Sequence, residues 1–294
     1  MAARNPSRGS ASRLASFRKM LARHPRLALI IRAARALIHF GPWRSAARWY
    51  FRQQRPPALC GATGLSVIPN LDAASVAAKV RADSVCVVEP LPAPFVDAIR
   101  QLTDHLPPNE YGSFARHSSG VKRLIEDPGV RAVARTYFGA EPVLLECNLV
   151  VQRSEAGRPV DAASQRRFHF DYAGWQSLNM FVYLTDVDPD AGAHQVVMGT
   201  HIGKSLRDAI RTSLDDEEVE RRFGTQVYTI AGPAGTVFFE DTEAFHRRVG
   251  VKHRRVMLNV LFASHRSAFS RGRLVESHQD IITSVSTARG RAQA

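Results

Sequence analysis

Acidic residues are missing from the first quarter of this 294-residue chain. Residues 1–71 hold thirteen of the forty Lys and Arg and no Asp or Glu, so beyond Leu71 the two signs balance at 27 each. The net charge of +13 is therefore an N-terminal property, and a neutral body excludes a chain built throughout for nucleic acid. Cysteine is scarce too. Cys60, Cys86 and Cys147 are widely spaced and form no C-x-x-C pair, which excludes a cysteine zinc site and argues against a disulfide framework. Cys86 and Cys147 sit in apolar, strand-like runs and read as reduced core residues of a cytoplasmic protein. Long apolar runs are lacking as well. The best one, LALIIRAARALIHF, is broken by Arg32 and Arg35 and falls short of the roughly 20 residues a membrane span requires. No G-x-S-x-G elbow is present, which disfavours a serine hydrolase.

What is present divides into three parts. Residues 1–56 form a basic helical extension in which Arg punctuates Leu, Ile, Trp and Phe. This pattern suits peripheral contact with an anionic membrane, equally a helix pair packed on the body, and a mitochondrial transit segment as a third reading. Residues 57–268 carry the main domain and 269–294 a polar tail. In the domain, SVCVVEPL reads as a strand, PAPFVDAIRQLTDHL as a helix with proline in its first turn, and DPGVRAVARTYFG as a helix stopped by Gly139. From Pro142 short β-rich runs dominate, separated by PDAG, GT and AGPAG, with one helical insertion, SLRDAIRTSLDDEEVERRFG. About eight such strands predict a mainly β fold with flanking helices and a jelly-roll core spanning about 142–264.

Within that core, RRFHFDYAGW sets His169 and Asp171 two apart on a strand, hence on one face. A lone H-x-D is weak evidence; His278-Gln279-Asp280 in the tail is a second, read as chance. The first gains weight from GTVFFEDTEAFHRR, which places His246 just after a strong strand, and from RRVMLNVLFAS, which follows with Arg254 and Arg255. Two imidazoles and one carboxylate, followed by a strand arginine, match the facial triad of a non-haem Fe(II) oxygenase.

From Pro142 to Ser264 the chain resembles the phytanoyl-CoA dioxygenase-like branch of the Fe(II)/2-oxoglutarate oxygenases, through RFHFDYAGW, NMFVYLTDVDPDAGAHQVVMGTH, GPAGTVFFEDTEAFHRR and RRVMLNVLFAS. The resemblance implies a double-stranded β-helix, or cupin-like jelly roll, with Fe(II) and 2-oxoglutarate bound and O2 consumed to hydroxylate an unidentified small-molecule or lipid-linked substrate. It implies that His169, Asp171 and His246 bind the metal, that Arg254 holds the far carboxylate of 2-oxoglutarate, and that Gln152 and Trp175 line its pocket. Arg255 stays open as the alternative, one residue away and so on the opposite face of the strand. Arg247-Arg248 after the second histidine departs from the family pattern. His194, His201, His253 and His265 read as core, loop or rim residues, and Arg166 and Arg167 as strand-entry charges able to steer an anionic substrate. The competing reading is a catalytically silent jelly-roll binding protein docked on a membrane by its N-terminus.

Overall fold

The computed structural model describes residues 24–57, 65–112, 118–154 and 165–266. Cys60, His278-Gln279-Asp280 and the tail at 269–294 lie outside them, as do residues 1–23.

Two antiparallel sheets face each other. The larger contains β1 (Val85–Val88), β2 (Asn109–Tyr111), β3 (Val143–Gln152), β5 (Ser177–Tyr183), β9 (Val237–Glu240) and β11 (Arg255–Ala263), in the order β1-β9-β5-β11-β3-β2. The smaller contains β4 (Phe168–His169), β6 (His194–Val197), β7 (Ser213–Leu214), β8 (Val227–Ile230) and β10 (His246–Arg248), in the order β7-β4-β10-β6-β8. This is the jelly roll expected from the strand pattern. Its sheets also recruit β1 and β2, which precede the span read as core: β1 pairs with β9, and β2 with β3. Both are separated from these partners by whole helices.

Period-two side chains decide which face of the larger sheet does what. Leu178, Met180 and Val182 of β5, with Val256, Leu258, Val260 and Phe262 of β11, turn outward into the main apolar core. That core is closed by α3 (Ala73–Asp83), α4 (Ala93–Arg100), α5 (Ser119–Ile125) and α6 (Pro128–Phe138). The alternate residues Phe181, Tyr183, Met257 and Phe238 turn inward, between the sheets. Asp127 starts α6 by accepting from Val130 N at 2.9 Å, and the same carboxylate ties down Ser66 and Val67. Gly139 ends α6 at φ 62, as its position after the helical run predicts.

The outer face of the smaller sheet carries Phe168, Phe170, Tyr172, Leu214 and Phe245. α7 (Leu206–Arg211) and α8 (Asp216–Phe223), the two pieces of the helical insertion, flank it. The basic N-terminal segment supplies the rest of its cover. α1 (Pro25–Phe40) sets Phe40 5.8 Å from Phe170 and 5.6 Å from Tyr172, ring centroid to ring centroid. α2 (Arg44–Gln54) pairs Arg44 with the buried Glu243. Of the readings for this segment, the described helices adopt the packed one on their inner side. Among the described residues no helix is long and apolar enough to cross a membrane.

Candidate active site

β4 and β10 are neighbours, and their register sets His169 directly opposite His246, with ring centroids 4.5 Å apart. Beyond β4 the chain stays extended, held where Asp171 N donates to Thr242 O at 2.8 Å. Phe168, Phe170 and Tyr172 thus alternate into the outer apolar cluster, while His169 and Asp171 turn to the cavity between the sheets. The rings that crowd this motif mainly anchor its strand from behind.

Each histidine has its tautomer set by the backbone. The carbonyl of Arg167 lies 2.8 Å from His169 Nδ1 and that of Ala244 lies 3.0 Å from His246 Nδ1. A carbonyl can only accept, so each Nδ1 carries a proton, which in a neutral ring leaves Nε2 with its lone pair. Burial first, and then the neighbouring His169, hold His246 down to about 4; its imidazole is neutral near pH 7. Asp171 Oδ2 is 3.8 Å from His246 Nε2. Two ligands of one ion at about 2.1 Å and a right angle stand about 3 Å apart. The donors are accordingly near one another without being drawn in, and among the described residues no three His, Cys, Asp or Glu form a closed metal-holding group. The donor chemistry fits a divalent first-row metal: two imidazoles and one carboxylate, with no thiol among the described residues that line the cavity.

The cavity has a volume of about 750 Å³, within the range of small-molecule sites. Its wall includes Gln152 and Arg255, which face each other across the β3–β11 register, Arg255 Nη1 donating to Gln152 Oε1 at 2.9 Å. Arg255 is almost wholly buried. Arg254 is exposed and donates to Thr103 O at 2.6 Å, on the helix side. The expectation for Arg254 is corrected here: inward parity on β11 runs through Arg255, Met257 and Asn259, all in the cavity wall, and the strand begins at Arg255. Trp175 is corrected too. Its indole Nε1 donates to Ile38 O at 2.9 Å, its own carbonyl accepts from Arg48 Nε at 2.7 Å, and its ring stacks near His265 and Phe51. By Gly174, at φ 132, the chain has turned off the strand, so alternation no longer aims Trp175 inward; it is a mooring for α1 and α2.

Two residues beside the site lacked a recognisable signal. Glu240, fully buried at the end of β9, is pushed up to about 8, first by burial. His194 lies in the cavity wall with Nε2 2.7 Å from Glu240 Oε2, though the two are not aligned for a regular hydrogen bond. Its ring stacks on His246 at 5.3 Å and 16°. Burial holds it down to about 3. A neutral imidazole and a largely protonated carboxyl thus pack behind His246. Arg167 stands where the cavity meets a smaller cleft of about 370 Å³ shared with Arg166, Arg247 and Arg248. Its buried Nε has no acceptor among the described residues.

No protein-family model and no curated protein matches the chain in sequence. Solved structures do match. EctD from S. alaskensis with bound Fe is 18% identical, with a TM-score of 0.51 over 73% of this chain and 89% of that one. The non-heme alpha ketoglutarate dependent epimerase SnoN from nogalamycin biosynthesis is 17% identical, with a TM-score of 0.50 over 71% of this chain and 90% of that one. HygX from Streptomyces hygroscopicus with nickel and 2-oxoglutarate bound is 18% identical, with a TM-score of 0.50 over 67% and 88%. The fold is shared with these proteins. At such identities the likeness concerns the fold, and the chemistry has to be argued from this chain's own side chains.

Proposed function

We propose that this protein is an Fe(II)- and 2-oxoglutarate-dependent dioxygenase that hydroxylates a small-molecule or lipid-linked substrate. One observation carries the reading: two imidazoles with free Nε2 atoms and one carboxylate meet in a cavity whose wall also bears a buried arginine tethered by a glutamine. The iron named for EctD and HygX, and the 2-oxoglutarate named with nickel for HygX, support it by analogy of fold. The narrower kinship, to the phytanoyl-CoA dioxygenase-like branch, rests on the sequence motifs.

His169, Asp171 and His246 would hold the metal, which when bound supplies dioxygen activation coupled to oxidation of 2-oxoglutarate to succinate and CO2. Arg255 in place of Arg254 would hold the co-substrate's far carboxylate. Arginine suits the task because it stays charged and offers a planar fork of donors, and Gln152 fixes the plane of that fork. Neutral His246 needs no deprotonation before ligation near pH 7. Phe168 and Leu214 behind β4, with Phe245 before β10, keep the two histidine strands rigid and shield the rear of the site from water. Arg167, with its unsatisfied buried donor, supports a substrate bearing an anionic group. A cytoplasmic location belongs to the same proposal, supported by the free, buried thiols Cys86 and Cys147.

Anaerobic equilibrium dialysis against Fe(II) tests the metal site. The expected result is one ion per chain for the wild type and a loss of affinity of at least tenfold for His246→Ala, within the span of a lost ligand. Equal binding by both proteins, each shown to be folded, would shift the reading to the silent jelly-roll binding protein.

A further inference from the structure

α1 and α2 are amphipathic the wrong way round for helices that merely cover a core. The buried positions of α1 are small or polar, Ala28, Ala36 and His39, and only Phe40 at its end adds an inward ring. Arg35 places its guanidinium 4.1 Å over the Tyr172 ring. Outward, the same helix presents Leu27, Ile30 and Leu37, spaced three and seven apart on one solvent-side stripe, with Leu29 beside them. α2 and the turn before it add Trp43, Trp49 and Tyr50. Trp49 and Ile30 are each 63% exposed. These seven residues are more than half of the thirteen large hydrophobic side chains exposed among the described residues, crowded onto two helices. Such crowding marks a contact surface rather than scattered exposure.

The charge around the patch selects its partner. Arg26 and Arg32 are exposed on α1, and no acid occurs before Asp72 in a stretch that holds thirteen Lys and Arg; Arg52 and Arg55 turn toward the body, beside Gly139 and Glu141 O. Cations interleaved with Trp, Tyr, Leu and Ile fit the head-group region of an anionic bilayer, where indole and phenol rings sit at the polar boundary and short aliphatic side chains enter the acyl layer. A protein partner of opposite charge would meet the arginines but leaves the aliphatic stripe without a reason to be so evenly exposed along the helix.

We propose that the outer face of α1 and α2 docks the protein on an anionic phospholipid membrane. The surface operates by partition of Ile30, Leu37, Trp43 and Trp49 into the interface, with the arginines held to lipid phosphates. The inward contacts stay intact, because Phe40, Arg44 and Trp175 tie the helices to the body on the opposite side. Docking does not depend on the oxygenase reading.

Co-sedimentation of the full chain with vesicles tests it, using phosphatidylcholine alone against phosphatidylcholine with phosphatidylglycerol. Point substitutions are used because removing the helices would uncover Phe170 and Tyr172. The expected result is salt-sensitive binding to the anionic vesicles, weakened at least tenfold by Ile30→Glu or Trp49→Glu. The control Leu102→Glu, at an exposed site beyond the end of α4, binds as wild type, and all proteins unfold at similar temperatures. Equal pelleting of wild type and the two helix variants would overturn the proposal. So would lipid-independent self-association, seen by light scattering, that the same variants abolish, since the face would then be an interface between copies.

Discussion

At the scale of single residues, a one-position choice at the start of β11 separates two arginines with different fates. Arg255 is buried in the cavity wall and bonded to Gln152; Arg254 is exposed and bonded to Thr103 O. A charge-assisted hydrogen bond contributes about 1.5–3 kcal/mol, so Arg255→Ala is expected to weaken 2-oxoglutarate binding by about 10- to 100-fold. Arg254→Ala should stay within about twofold. Calorimetric titration of both variants with the co-substrate checks this, and a larger loss for Arg254→Ala would restore the opposite parity. The sequence marked His169, Asp171 and His246 because H-x-D needs only local strand alternation. It left the arginine open because parity there depends on where the strand starts, which the pairing with Gln152 sets from a hundred residues away. Glu240 and His194 carried no legible signal: each is an ordinary polar residue in its own strand, and only sheet packing brings them together.

At the scale of elements, the N-terminal helices are moored by groups that dislike losing their partners. Glu243 is buried and pushed up by burial, with Arg44 opposing that shift. Removing one member of a buried ion pair costs about 3–5 kcal/mol, so Arg44→Ala should loosen α1 and α2 from the body. Limited proteolysis within residues 24–57 should then run at least tenfold faster than in the wild type; unchanged cleavage would show that the pair contributes little. Acid should loosen the same helices. Burial holds His39, which packs on Tyr172, and His265, which stacks on Phe51, down to about 4. A histidine whose folded value lies below its unfolded 6.5 contributes stability that is complete above pH 6.5 and is lost as pH falls through the folded value. Proteolysis of α1 and α2 is therefore expected to accelerate steadily from pH 6.5 to 4, and His265→Phe should flatten part of that rise. A pH-independent rate over this window would contradict it. The sequence offered packing on the body as one reading but did not select it, because the inner face mixes Ala, His and Arg with only Phe40 and Phe51, while most of the apolar residues a pattern search follows point to solvent.

At the scale of the whole molecule, the jelly roll was readable because its strands are short apolar runs set off by turn residues, as in GTVFFE and SLNMFVY, both buried on two faces. β1 and β2 joined the sheet from outside the expected span, since antiparallel partners so far apart in sequence leave no local trace. The architecture puts a rigid sheet on each side of one cavity, carries two histidines on adjacent strands of one sheet and an arginine on the other, and closes the rear with N-terminal helices. That division of labour is the central claim, and anaerobic titration with Fe(II) and 2-oxoglutarate tests it most directly by the visible charge-transfer band of the ferrous co-substrate complex. The account predicts a band in the wild type that disappears in His169→Ala, weakens in Arg255→Ala and persists in Arg254→Ala. A folded wild-type protein that develops no band, or a band indifferent to His169, would contradict it.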